Sequence, residues 1–251
     1  MDRLRTASIL ALALALAACA HVPNAKEREM AVNYNDLAAD ALRGGRMPDA
    51  LREYDEALKL DPNLADAHRG KGVVLEFGFQ RAAEAEAEYR RAIELRPAFP
   101  EAHNDLGRLL AQGGRYDEAI AEFDAAAAIM QYREPWVARC NKAETLWRMG
   151  RKPEGLAEMR ACLSFQPRYC QGWRELGRMQ LSDGRTSEAV TSEEEYARLC
   201  ATTADAHYQL GVALLKAGQA ERARESFARC AELGSNTPVG DDCRKSGERL
   251  K

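Results

Sequence analysis

No apolar run in this 251-residue chain reaches the length of about 20 residues that a bilayer-spanning helix needs. Aromatic residues are scarce at 7%, so the core must be built largely from small and aliphatic side chains. There is no excess of positive charge: the formal net charge is −3, which argues against a phosphate-backbone partner such as nucleic acid. No H-E-x-x-H, G-x-S-x-G or G-x-x-x-x-G-K motif occurs, and no C-x-x-C pair. No nucleophile stands at a useful spacing from a base. The sequence therefore predicts no enzyme, no cofactor, no metal site and no small-molecule substrate. A Ser/Gly-rich linker is also missing, which predicts a single domain after the leader.

The longest apolar stretch is short and sits at the start. Arg3 and Arg5 precede Ile9 to Ala18, a positive end followed by a hydrophobic segment, as in a secretory signal. The segment closes on "LAAC", Leu16 to Cys19. That tetrad resembles the bacterial lipobox, in which a thioether-linked diacylglyceryl group is added to the cysteine before cleavage ahead of it. The resemblance implies a signal peptide over 1–18 and a covalent lipid at Cys19, with a short tether over 19–30. Two or more acyl chains anchor stably where one is marginal. Ala20 follows the cysteine, with no Asp to suggest inner-membrane retention. Outer-membrane attachment, facing the periplasm, is the expectation. Losing Asp2, Arg3 and Arg5 with the leader removes a net +1 and leaves −4.

The remainder is periodic. Tyr34, His103 and His207 each open the same pattern, with a leucine and a small residue following (Leu37-Ala38, Leu106-Gly107, Leu210-Gly211). A turn glycine comes next (Gly45, Gly114, Gly218), then a small–aromatic–small triad. The triads are Ala50, Tyr54, Ala57; Ala119, Phe123, Ala126; and Ala223, Phe227, Cys230. Three weaker copies keep the phase. One has Gly72, Ala85, Tyr89 and Ala92, and needs one inserted residue near Phe77 to Gln80. Another has Ala143, Gly155, Met159 and Cys162. The last has Trp173 to Gly177 and Ala189, but Glu193 occupies its aromatic position. This pattern resembles the tetratricopeptide repeat. Small residues let two helices approach closely, and the aromatic fills the wedge between hairpins. The predicted fold is all-α: a right-handed superhelical solenoid of six helix-turn-helix repeats over 31–237, with a capping helix over 238–251. A polar cap of that kind covers the last apolar face of a solenoid.

Three histidines, His68, His103 and His207, recur where the repeat's bulky residue belongs, which predicts packing rather than metal binding. Glu193-Glu194-Glu195 reads as a solvated helix face. Six cysteines besides Cys19 remain: Cys140, Cys162, Cys170, Cys200, Cys230 and Cys243. An even number in an exported chain suggests disulfides, with fifteen possible pairings. Helix geometry favours Cys140–Cys162, Cys170–Cys200 and Cys230–Cys243. Cys162–Cys170, across one inter-repeat turn, fits as well, and several could stay as free thiols in small-residue positions.

The concave face of such a solenoid is lined by the first helix of each hairpin and generally receives a partner segment. The helical period places Asn35, Arg69, Asn104, Arg108, Arg174, Arg178 and Tyr208 there, with Trp147 further along. Asn and Arg suit an extended backbone or a carboxylate. Lipobox, short tether, six repeats and polar cap together are similar to the PilF/PilW/Tgl family of type IV pilus biogenesis lipoproteins. That resemblance implies a pilotin, which binds the secretin subunit and promotes its outer-membrane localisation and multimerisation for pilus-driven motility. An adaptor for peptidoglycan enzymes or another envelope assembly can be built from the same parts.

Overall fold

The computed structural model describes residues 22–130 and 132–250; the leader and Cys19 lie outside them. The first helix, α1, spans Ala25–Arg43 and begins earlier than the repeat pattern alone suggests. Asn24 explains the start. Its Oδ1 accepts from the Glu27 N–H at 3.0 Å, and the Glu27 carboxylate accepts from the Asn24 N–H at 2.8 Å. This reciprocal capping box satisfies two donors that a helix N-terminus otherwise leaves bare.

Twelve more helices follow among the described residues: α2 (Met47–Leu60), α3 (Ala65–Val73), α4 (Ala82–Leu95), α5 (Pro100–Gln112), α6 (Tyr116–Ala128), α7 (Pro135–Arg148), α8 (Lys152–Phe165), α9 (Cys170–Ser182), α10 (Thr186–Leu199), α11 (Ala204–Lys216), α12 (Ala220–Leu233) and α13 (Pro238–Glu248). A proline stands in the first turn of α2, α5, α7, α8 and α13, where its missing N–H costs nothing. Consecutive helices pair into hairpins, and α13 packs on α12.

The hairpin turns are alike. Gly114 and Gly184 take φ of 77° and 76°, a left-handed conformation that glycine adopts without strain. The second hairpin has Gln80 there, at φ 56°. Just before it, Val74–Gly78 form a π-helical turn that continues α3. The closing bond shows what the turn absorbs. Arg46 N–H reaches Ala41 O and Arg115 N–H reaches Leu110 O, five residues back; Arg81 N–H reaches Leu75 O, six back. The extra residue of the second repeat is thus taken up inside the helix.

Packing divides the molecule into two compact units, one ending at Pro97 and the other beginning at Ala98. The sequence suggests one domain because no Ser/Gly-rich linker marks this division, whose turn resembles Asp61-Pro62-Asn63-Leu64 and Gln166-Pro167-Arg168-Tyr169 between other helices. In the first unit Ala38, Ala50, Tyr54, Ala57, Ala67 and Val74 form a buried cluster. Tyr89 lies over Gly72, where a Cβ would come within 2.6 Å of its ring. In the second, Phe123 and Phe227 cover Gly107 and Gly211 in the same way, at 2.7 and 2.6 Å. Between them Met159 fills the fourth wedge, among Cys140, Leu156, Cys162, Leu163 and Leu176.

Candidate functional site

Each hairpin's first helix opens with a bulky residue, and the structure shows why histidine serves there. Trp173 Nε1 donates to Pro167 O at 2.9 Å, bracing the helix against the turn before it. His68 Nε2 lies 3.0 Å from Pro62 O, and His207 Nε2 lies 3.0 Å from Ala201 O. Both rings make the tryptophan's bond with their own nitrogen. The other nitrogen of His68 lies 2.5 Å from Glu88, and Nδ1 of His103 lies 2.6 Å from Glu122. The three histidines thus sit on three separate hairpins, each tied to its own repeat.

A lysine replaces the leucine of the motif in two repeats, with one result. Lys71 bridges Asp55 at 2.9 Å and Glu88 at 3.0 Å; Lys142 bridges Asp124 at 2.7 Å and Glu158 at 3.3 Å. Burial disfavours both ammonium groups, but the paired carboxylates outweigh it and hold their pKa above the usual lysine value. Each lysine joins the preceding hairpin's second helix to its own. These charges hold repeats together and are not free to bind a ligand.

The polar edge of the first helices is different. In the second unit α5, α7, α9 and α11 carry arginines interleaved with carboxylates and amides. Buried Asn104 accepts from Asn141 Nδ2 at 2.9 Å, joining α5 to α7. Arg108 pairs with Asp105 at 3.9 Å. Arg108, Gln112, Phe123, Asn141, Glu144 and Arg148 line a cleft of about 190 Å³, the size of one or two side chains. Burial and the Glu175 charge raise the pKa of Glu144. Further along, Arg174 Nε donates to Asp205 at 2.8 Å, joining α9 to α11, and Arg178 Nε donates to Glu175 at 2.7 Å. Arg174 is therefore largely committed, whereas Arg178 projects from an exposed position.

The structure does not bring all the predicted groove residues to this edge. Trp147 packs on the core between α7 and α8, with the Lys152 ammonium 5.3 Å from its ring centroid. Tyr208 leans on Phe227, ring centroids 6.0 Å apart, and stays half-buried. In the first unit, half-buried Asn35 donates to neighbouring Asp36 at 3.4 Å, and half-buried Arg69 lies beside Tyr54. Cys19, the expected lipid site, lies outside the described residues. Asn141, Glu144, Glu175 and Asp205 join this edge without belonging to any motif position of the sequence. Their helical phase with the arginines is the signal that could have found them.

Glu193 requires a correction. The charge run suggests a solvated face, yet Glu193 is 1% exposed, while Glu194 pairs with Arg222 and Glu195 with Arg198. The repeat register explains it: Glu193 holds the wedge position, and a Cβ on Gly177 would fall onto its carboxyl. Its Oε2 has no hydrogen-bond partner. Burial, aided by the charges of Asp205 and Glu175 against that of Arg174, pushes the carboxyl up to about 8. The tyrosine of this repeat stands three residues on. Tyr196 donates to Asp205 at 3.1 Å, and burial together with that carboxylate pushes its phenol up to about 12.

The structure pairs all six described cysteines: Cys140 with Cys162 inside α7–α8, Cys170 with Cys200 at the two ends of α9–α10, and Cys230 with Cys243 between α12 and the cap. Cys162 and Cys170 fall into different pairs.

Family models for the tetratricopeptide repeat match residues 42–76, 75–132 and 204–236. No curated protein matches the chain by sequence. Solved structures do match. PilW, described as a widely conserved type IV pilus biogenesis factor, superimposes with a TM-score of 0.77 at 23% identity, over 84% of this chain and 97% of its own. PilF of Pseudomonas aeruginosa gives 0.74 at 18% identity, over 88% and 99%. YrrB, described as a tetratricopeptide-repeat protein with an unusual peptide-binding site, gives 0.57 at 17%, over 76% and 97%. The chain carries tetratricopeptide repeats and folds as a solenoid like those of PilW and PilF.

Proposed function

We propose that this protein is a non-catalytic assembly factor for type IV pilus biogenesis, lipid-anchored through Cys19 at the periplasmic side of the outer membrane. Its partner is the secretin subunit, which it brings to that membrane and helps to multimerise. The observation that carries the reading is the likeness to PilW and PilF, which extends over 97% and 99% of those chains. The likeness of Leu16 to Cys19 to a lipobox supports an anchor immediately ahead of the repeats. The edge of α5, α7, α9 and α11 is the proposed docking face, since its arginines, amides and carboxylates can meet both a peptide backbone and charged side chains.

The test is a strain lacking the gene, in which heat- and detergent-resistant secretin multimers are followed in outer-membrane fractions. Multimers are expected to vanish while monomer persists. Normal multimers would sink the reading and leave the adaptor for cell-wall enzymes in its place. Arg178→Glu should weaken secretin capture by about tenfold, as loss of a central interface charge does. Unchanged capture would put the interface elsewhere.

A further inference from the structure

Among the described residues, one side of the first hairpin has no neighbouring hairpin. In an inner repeat the motif leucine is buried against the second helix of the preceding hairpin. Leu176 is 3% exposed, packed with Leu156, Met159 and Leu163 of α8. Leu37 holds the same motif position on α1 and is 55% exposed, because no hairpin precedes it among the described residues. Exposed Lys26, Met30, Asn33 and Leu37 recur along α1 at helical spacing, so they share one edge. Val22, just ahead of the Asn24 cap, is 77% exposed. Exposed Asp40 continues this edge but is paired with Arg43, so Lys26 is the cation at its start.

The capping box fixes where α1 begins. Five residue steps separate Cys19 from Asn24, a reach of at most about 18 Å. An acylated Cys19 would hold the start of α1, and the apolar edge behind it, against the bilayer surface. We propose that this surface is the missing partner: α1 lies along the membrane with Val22, Met30 and Leu37 in the headgroup–acyl boundary and Lys26 toward lipid phosphates. The lipid then takes the place that a preceding hairpin's second helix takes in the inner repeats. This inference rests on lipidation of Cys19.

The test uses the full-length lipidated protein on vesicles of phosphatidylethanolamine and phosphatidylglycerol, with amide hydrogen exchange over α1 as the readout. Exchange there should be about fivefold slower than in the Cys19→Ala protein mixed with the same vesicles. The combined Met30→Asp and Leu37→Asp variant, altered only at exposed positions, should lose that slowing while remaining anchored. An anchored protein whose α1 exchanges at the unanchored rate overturns the proposal and leaves the anchor standing. Slowing that needs no vesicles but grows with protein concentration overturns it too, in favour of a second copy on this face. A Cys19 without acyl chains by mass spectrometry removes the anchor, and the proposal with it.

Discussion

The two units solve one packing problem with different chemistry. Up to Pro97 the wedges are tyrosines, Tyr54 and Tyr89, and the described residues contain no cysteine. Charged side chains tie the helices together there as Lys142 and Arg174 do in the second unit, but without a covalent link: Lys71 spans Asp55 and Glu88, Arg91 Nη2 donates to Asn63 at 3.0 Å, and Arg96 pairs with Asp66. From Ala98 on, two of the four wedges lack an aromatic ring. Met159 and Glu193 fill those positions, and the hairpins that carry them are the ones closed by Cys140–Cys162 and Cys170–Cys200. A covalent link stands where ring packing is weakest. The third bridge, Cys230–Cys243, ties down the cap.

The strongest way to break this comparison is to open the bridges. On the chain-entropy model each contributes about 3 to 4 kcal/mol, given loops of 22, 30 and 13 residues. Replacing Cys140, Cys162, Cys170 and Cys200 by Ser should therefore accelerate amide exchange through α7–α10 by orders of magnitude. Exchange in α2–α4 should not change. Equal acceleration in both units would mean that the bridges stabilise the whole chain rather than the weak wedges.

A smaller effect tests the buried wedge carboxyl. With its folded pKa raised to about 8 from a usual 4.5, Glu193 binds its proton more tightly in the folded state. Its contribution to stability is complete below about pH 4.5 and is lost as pH rises through 8, a total on the order of 5 kcal/mol. Glu193→Gln keeps the shape and removes the proton. Denaturant midpoints measured from pH 5 to 9 should fall for the native protein relative to the variant. Parallel curves would show that the group does not titrate in this window. Asp205, Glu175 and Arg174 face the same site and are retained in both proteins.

The smallest effect sharpens the other side. Tyr89 OH donates to the buried Glu76 carboxylate at 2.9 Å, a bond that phenylalanine at the wedge cannot make. Tyr89→Phe should cost about 1 to 2 kcal/mol in an unfolding titration. A neutral result would assign the tyrosine's value to its ring alone.

Much of this was legible in the sequence, because the motif positions are spaced by the helix period itself. Tyr54, Tyr89, Phe123 and Phe227 lie buried where the triads put them, and the phase slip near Phe77 proves to be a π turn. What stayed hidden has a common cause. Glu193, Lys71 and Lys142 are charged residues in apolar motif positions, and composition places such residues at the surface. Only the register, followed strictly, places Glu193 inside. The division after Pro97 left no trace, since its turn carries the same proline position as the turns at 61–64 and 166–169. Trp147 is an aromatic on a first helix, but its ring is held by the neighbouring lysine and core.

The π turn at Val74–Gly78 has a consequence for how such a chain can change. In a helix, one added residue rotates every later side chain by about 100° and would turn a core face outward. Here the rotation is spent within a single turn: Ala85, Tyr89 and Ala92 of α4 are all fully buried, and Tyr89 still meets Gly72. The turn works as a clutch between two gears, slipping once so that both sides keep their teeth engaged. A repeat array that can slip by one residue can accept insertions inside its helices as well as in its loops, and later repeats inherit no error from earlier ones.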